Sequence, residues 1–300
     1  MEDASPFTPP LAPQHLVLGR FACAALLASG LLAAASVSAD ETTQVVTLIN
    51  EYRESGRDCD GDFKPPAGPL ATSVALTGLP NISGQDLSNL LQRAGYQAAQ
   101  AQAVRVSGPE DIAMLMTVLK QQYCGVLMNP AYADVGVSRD GKRWQLVMAR
   151  SLLSSGMVDW EEAGKEVLDL VNEVRGESRT CGSQTFASTL PLAWNEQLAS
   201  SALEHSHDMA KQNYFSHTGR DNSQVGERAK REGYDYQLIG ENLAAGHGSP
   251  KQAVAGWLMS PGHCANLMNP QFTEMGAAYV VNPASDSAIF WTQVLGAPKE

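Results

Sequence analysis

Histidine is missing from most of this chain: the 300 residues hold six, and between Asp40 and Glu204 there is none. That stretch therefore offers no imidazole for metal ligation, proton transfer or nucleophile activation. Basic side chains are also scarce, 21 Lys and Arg against 32 Asp and Glu, a net charge of −11. Nucleic acid and anionic lipid surfaces attract basic patches, so both are excluded as expected partners. No HExxH pattern occurs, and cysteine is limited to five residues. Long apolar runs are missing as well, except one at residues 21–37. Followed by Val37-Ser38-Ala39 before Asp40, it reads as a secretory signal peptide over residues 1–39. The segment before it is a poor n-region, with Glu2, Asp3 and a single Arg20, and an uncleaved signal anchor is the alternative reading. The run is short for a membrane span, and no stable span is expected after cleavage. Either way the remainder is exported, secreted or periplasmic.

What is present comes twice. Leu48-Ile49-Asn50-Glu51-Tyr52-Arg53, then Cys59, recurs as Leu170-Val171-Asn172-Glu173-Val174-Arg175, then Cys181. Pro69-Leu70-Ala71 recurs as Pro191-Leu192-Ala193, and Gly95-Tyr96 as Gly233-Tyr234. Tyr123-Cys124-Gly125-Val126-Leu127-Met128-Asn129-Pro130 matches His263-Cys264-Ala265-Asn266-Leu267-Met268-Asn269-Pro270. A self-similarity of this kind indicates a duplicated unit, and about two domains is what the length suggests. The second stretch is longer, and residues 205–215 are the natural candidate for the piece without a counterpart. Cys23 belongs to the apolar run, which leaves Cys59, Cys124, Cys181 and Cys264, an even number in an exported chain and so a disulfide framework. Because Cys59 corresponds to Cys181 and Cys124 to Cys264, the expected bonds are Cys59–Cys124 and Cys181–Cys264.

Residues 161–175 place Ala163, Val167, Leu168, Val171 and Val174 three and four apart, the spacing of an amphipathic helix. Residues 195–212 form a second expected helix with Leu198, Ala202, His205 and Met209 on one stripe. A third starts at the Ser249-Pro250 cap, with Gln252 completing a capping box, and is expected to stop at Pro261-Gly262. Residues 276–281 and 289–295 read as strands, repeated in the first stretch at 135–138 and 144–148. Helices early and strands late predict an α+β fold, with helices on both sides of a small sheet. The expected organisation is a first unit over 40–150, a linker and helix start over 151–165, and a second unit over 166–300.

Five histidines follow the apolar run. His205 reads as a satisfied helix histidine, His207 as solvent-facing and His247 as part of a flexible loop. His217 and His263 each stand in a short segment of small residues just past an expected helix end, where an imidazole can point into a cleft. With Glu241 they make a sufficient ligand set for a divalent ion such as Zn²⁺, leaving an open position for water. The competing reading is a hydrogen-bonded polar cluster that binds nothing. Tyr123 stands where the second stretch has His263, and His217 and Glu241 have no match in the first. The three would thus be lost together.

The second stretch, about residues 166–296, resembles the CAP superfamily (cysteine-rich secretory proteins, antigen 5, pathogenesis-related proteins) in its bacterial form. The resemblance rests on Leu192-Ala193-Trp194-Asn195, His205-Ser206-His207-Asp208-Met209-Ala210, Tyr214-Phe215-Ser216-His217-Thr218-Gly219, Gly240-Glu241-Asn242, and Trp257 followed by Ser260-Pro261-Gly262-His263-Cys264. It implies an α-β-α sandwich, here duplicated in tandem with a degenerate first copy at about 45–150. It also implies a central cleft with two histidines and two acids that hold a divalent metal in some members. Carried over, these are His217, His263 and Glu241; the second acid falls on Ser260, a departure that weakens metal binding. The family is associated with lipid or sterol binding, protein interaction and disputed proteolysis, so fold alone settles no activity. The leading expectation is a non-enzymatic envelope module binding a metal or small ligand, with an unknown partner. A metal-dependent hydrolase using His217, His263 and Glu241, and a carrier of apolar ligands, are the alternatives.

Overall fold

The computed structural model describes residues 39–80, 86–152 and 159–299. The expected signal peptide and the centre of the expected linker lie outside the described residues. The described residues belong to one compact unit. Among the described residues no helix is long and apolar enough to cross a membrane.

The first half runs α1 (Ala39–Arg53), β1 (Arg57–Cys59), β2 (Asp62–Lys64), β3 (Ala71–Thr72), α2 (Asp86–Arg93), β4 (Ala98–Ser107), α3 (Ile112–Gln122), α4 (Cys124–Leu127), β5 (Asp134–Asp140) and β6 (Arg143–Ser151). The second runs α5 (Trp160–Arg175), β7 (Arg179–Cys181), β8 (Gln184–Phe186), β9 (Ala193–Trp194), α6 (Glu196–Gln212), α7 (Val225–Arg231), β10 (Tyr236–Ala245), α8 (Pro250–Leu258), α9 (Pro261–Met268), β11 (Glu274–Val281) and β12 (Ile289–Pro298). Each half holds a two-stranded hairpin and a four-stranded sheet, with strand orders β3-β5-β6-β4 and β9-β11-β12-β10. In both sheets the short strand pairs parallel with its neighbour and the remaining ladders are antiparallel. The register shift between Ala98 and Gln100 has its counterpart between Tyr236 and Leu238.

Helices on both faces explain why β12 is buried from Ile289 to Ala297 without the alternation of a one-sided sheet. On one face α5 presents Ala163, Val167 and Val171, packed with Trp257, Trp291 and Leu295. On the other, α6 lies against β11 and β12 with Leu198 and Ala202 inward. Gly276 makes that close approach possible, because a Cβ there would stand 2.0 Å from the Ala199 backbone nitrogen. In the first half α1 and α3 cover one face, Ile49, Leu115 and Leu119 meeting Trp144 and Leu146. Where the second half has α6, the first has a single 3-10 turn, Val74–Leu76. Gly136 admits its Leu76, whose carbonyl carbon would lie 2.3 Å from an added Cβ.

Cys59 is bonded to Cys124 and Cys181 to Cys264, each tying a hairpin to the short helix across from it. Buried arginines hold the strand-entry loops. Arg53 donates to the carbonyls of Gly68, Leu127, Asn129 and Tyr132, and Arg175 to those of Leu190, Leu267, Asn269 and Phe272. Four neutral acceptors replace the water each guanidinium loses on burial.

The helix starts follow the expected caps: Asn195 accepts from the Gln197 and Leu198 amides, and Ser249 from that of Gln252. The third helix stops before Pro261 as expected, α8 ending at Leu258, but Pro261 also begins a further helix, α9, that was not expected, because proline lacks only an N–H that the first helical position leaves unpaired anyway.

Candidate functional site

α6 ends at Asn213, whose left-handed backbone (φ 48°) turns the chain back and delivers residues 214–219 to the edge of the sheet. His217 sits there, about half exposed. Glu241 lies on β10 opposite Val294 and is buried at 6% exposure. Its carboxylate is held from two sides: His217 Nδ1 stands 2.8 Å from Oε1, and Arg228 Nη2 donates to Oε2 at 2.6 Å. Arg228, itself buried on α7, also donates to the carbonyls of Ser223 and His217. Burial pushes the Glu241 carboxyl upward, but the His217 hydrogen bond and the charges of His205, Arg228 and His217 outweigh it and hold it below the usual carboxylate range. The group is an anion at neutral pH, and His217 Nδ1 carries the proton it donates.

His263 occupies the first turn of α9, not a loop beyond a helix end. Its carbonyl accepts from Asn242 Nδ2 at 3.3 Å, and Asn266 Nδ2 is anchored on Asn242 Oδ1 at 2.9 Å, which fixes α9 to β10. Desolvation, with a contribution from His217, pulls its imidazole down to about 3, so the ring is neutral. Its Nδ1 is buried and has no hydrogen-bond partner among the described residues.

These three side chains line one cleft of about 560 Å³, together with Phe215, Leu243 and Asn266. The opposite wall comes from the first half: Asn50, Glu54, Pro66, Ala67 and Pro69. It is fastened across the junction. Ser260 Oγ donates to Glu54 Oε1 at 2.6 Å, Asn50 Nδ2 to the Met259 carbonyl at 3.2 Å, and His247 Nε2 to the Pro69 carbonyl at 2.9 Å. Gly68 is pressed so close to β10 that a Cβ would come within 2.9 Å of the Ala245 amide nitrogen.

The sequence-expected residues fare unequally. His205 is buried, its Nε2 2.8 Å from the Ser216 carbonyl and its Nδ1 without a hydrogen-bond partner among the described residues, and His207 is exposed. His247 is not in a free loop: it is fully buried, its carbonyl accepts from Trp291 Nε1, and burial lowers its pKa to about 4. Arg228 and Glu54 were missed altogether. Arg228 follows the capping box of Gln224 and Glu227 and could have been found there as a cation on a helix. Glu54 carried no local signal, since only tertiary packing brings it to the cleft.

His217, Glu241 and His263 share the cleft but do not form a ligand set. Among the described residues no group of three or more His, Cys, Asp or Glu side chains is placed to hold a metal. Glu241 has given one oxygen to a guanidinium and the other to His217, so the expected carboxylate ligand does not fit a divalent ion. Ser216 Oγ accepts from the Thr218 amide, and its neighbour His217 is turned to Glu241 and away from it.

Residues 168–295 match the family model CAP, the cysteine-rich secretory protein family. Over 129 residues the chain is 34% identical to the uncharacterized protein YkwD of Bacillus subtilis, and over 112 residues 34% identical to the uncharacterized membrane protein YlbC of the same organism. These alignments cover 43% and 37% of this chain, and 45% and 30% of those relatives, so the chain spans less than half of their length. Among solved structures, an extracellular SCP-domain protein from Bacillus anthracis is 28% identical, with 52% of each chain covered and a TM-score of 0.38. An outer surface protein of Borrelia burgdorferi is 19% identical, covering 45% of this chain and 89% of that one, with a TM-score of 0.36.

Proposed function

With residues 168–295 a CAP domain of the cysteine-rich secretory protein family, we propose that this is an exported envelope protein whose cleft binds a small ligand without turning it over. The observation that carries this reading is Glu241. An anionic carboxylate bonded on both oxygens supports the walls of a pocket and is not a free base for water. The cleft volume suits a small-molecule site. Export is supported by the apolar run at 21–37 with its small-residue cleavage pattern. The common strand order and matched arginine anchors support reading the halves as tandem copies of one unit, the first without the cleft groups.

A second reading, a divalent ion on the imidazoles of His217 and His263 alone, is favoured by one observation, the unpartnered Nδ1 of His263. Calorimetric zinc titration of the wild type and of the His217→Ala/His263→Ala variant separates the two. Equal heats are expected; stoichiometric uptake by the wild type alone would establish the metal site instead. Protease, esterase and peptidoglycan assays are expected to show no turnover above a Glu241→Gln control, and turnover well above it would make the protein a hydrolase.

A further inference from the structure

The junction between the halves joins two unlike surfaces, a cleft on the second half and a wall on the first, and the repeat gives each a counterpart on the other half. The wall is α1 with the loop 66–69, and its counterpart is α5 with the loop 188–191. The two loops are held alike. Ala67 N donates to the Arg53 carbonyl at 3.0 Å and Arg53 Nε to the Gly68 carbonyl at 2.7 Å. Thr189 N donates to the Arg175 carbonyl at 2.8 Å and Arg175 Nε to the Leu190 carbonyl at 2.8 Å. The first loop is pressed against Ala245, whereas the second faces outward, with Ser188 and Pro191 exposed and Leu190 at 81% exposure.

The cleft has its counterpart too. A groove of about 470 Å³ on the first half is lined by Leu87, Ala101 to Arg105 and Tyr123. Ala103 stands there where the second half has Glu241, and Tyr123 where it has His263. The groove follows β4, the terminal strand of its sheet, and among the described residues its lining comes from the first half alone. A terminal strand is open to a further partner.

We propose that a second copy of this chain supplies the missing wall. The 188–191 loop of one molecule docks head to tail in the groove at Ala103 and Tyr123 of the next, repeating between chains the junction that already exists within one. The differences between the surfaces suit this. At Gly68 a Cβ would stand 2.9 Å from the Ala245 amide nitrogen, so the docked loop carries no side chain there. Leu190 carries one, and the groove that receives it is apolar at Leu87, Ala101, Ala103 and Val104 and has no counterpart of the Glu241 carboxylate. The loop is already shaped by its bonds to Arg175, so little order is lost on docking. A contact between unlike surfaces can continue from copy to copy, as a ring or a chain. It does not depend on what the second-half cleft binds, because neither surface lines that cleft.

The test is sedimentation equilibrium of the exported chain. Its weight-average mass is expected to rise at least about twofold between about 10 µM and about 1 mM, the range of a small interface. Added salt should strengthen association, because it screens the repulsion between strongly acidic copies. Leu190→Asp, at an exposed position, spoils the loop, and Ala103→Glu puts into the groove the carboxylate that its counterpart carries. Arg105→Glu, at an exposed position of the same groove, is a second groove variant. Each alone is expected to stay monomeric. Leu190→Asp mixed one to one with a groove variant should form a dimer and nothing larger, since each keeps the surface the other has lost. A wild type that stays monomeric over the whole range, association undiminished by Leu190→Asp, or mixtures with both groove variants that stay monomeric would each overturn the inference.

Discussion

The two halves solve one packing problem with the same contacts and then part company at the same few positions. Asn50 bonds the Leu70 backbone through both amide atoms, as Asn172 does Leu192. Tyr96 donates to Asp134 at 2.7 Å and Tyr234 to Glu274 at 2.7 Å. Trp144 and Trp291, both buried, each donate to a loop carbonyl, of Pro109 and His247. Yet Glu241, opposite Val294, has as its counterpart Ala103, opposite Val147, and Tyr123 stands where the second half has His263. The difference teaches that the framework does not depend on the polar cluster. A sheet with the same order and bulge closes over Ala103 without a buried ion pair at that position, so the Glu241–Arg228–His217 network serves the cleft and not the fold.

The strongest way to break this comparison is at the buried arginines. Arg53→Met and Arg175→Met each leave four carbonyls without a donor, and each is expected to cost about 3–5 kcal/mol, measured by urea unfolding. A much smaller loss for Arg53→Met would show that the first half does not depend on its anchor as the second does. Acid comes next. Burial lowers the His247 pKa to about 4, below the unfolded value near 6.5. The unfolded chain therefore binds the extra proton first, and the stability tied to the neutral ring is present above about 6.5 and lost as pH falls towards 4. The loss is on the order of 3 kcal/mol. Thermal unfolding across this range should show a steep slope that His247→Asn flattens, and an unchanged slope would remove His247 as the sensor. His263, lowered to about 3, adds to the decline in the same direction. The smallest effect is expected at Asp134, whose carboxyl burial raises to about 6 against the usual carboxylate value near 4. Its anion is disfavoured in the folded state, so Asp134→Asn, which keeps an acceptor for Tyr96, should change stability by less than about 1 kcal/mol at pH 7. A large loss in chemical denaturation would mean that the negative charge itself is needed beside Gln252.

Much of the fold could be read from the chain because its signals are local. The spacing of Val167 and Val171, the Asn195 and Ser249 caps, and the β-branched runs of β11 and β12 each act over a few residues. The strands at 135–138 and 144–148 were found but cut short, since their ends are set by pairing with partners far along the chain. β10 was missed as a strand because Gly240-Glu241-Asn242 interrupts its apolar pattern, and that interruption is the site. His217, Glu241 and His263 were legible through the repeat and the family resemblance. The ion pair to Arg228 and the placement of Glu54 were not, because each depends on how helices and halves meet in space. Pro261 marked the stop of α8 but hid the start of α9, because proline both stops one helix and starts another.

The contact of Gly68 with the Ala245 backbone bears on how the proposed ligand would reach the cleft. Main chain touches main chain there, with no side chain between to slide or swing, so the junction offers no hinge. Under the proposed binding role, a ligand would enter by the open mouth into a pocket already shaped, and selectivity would belong to its contour and not to a closing movement.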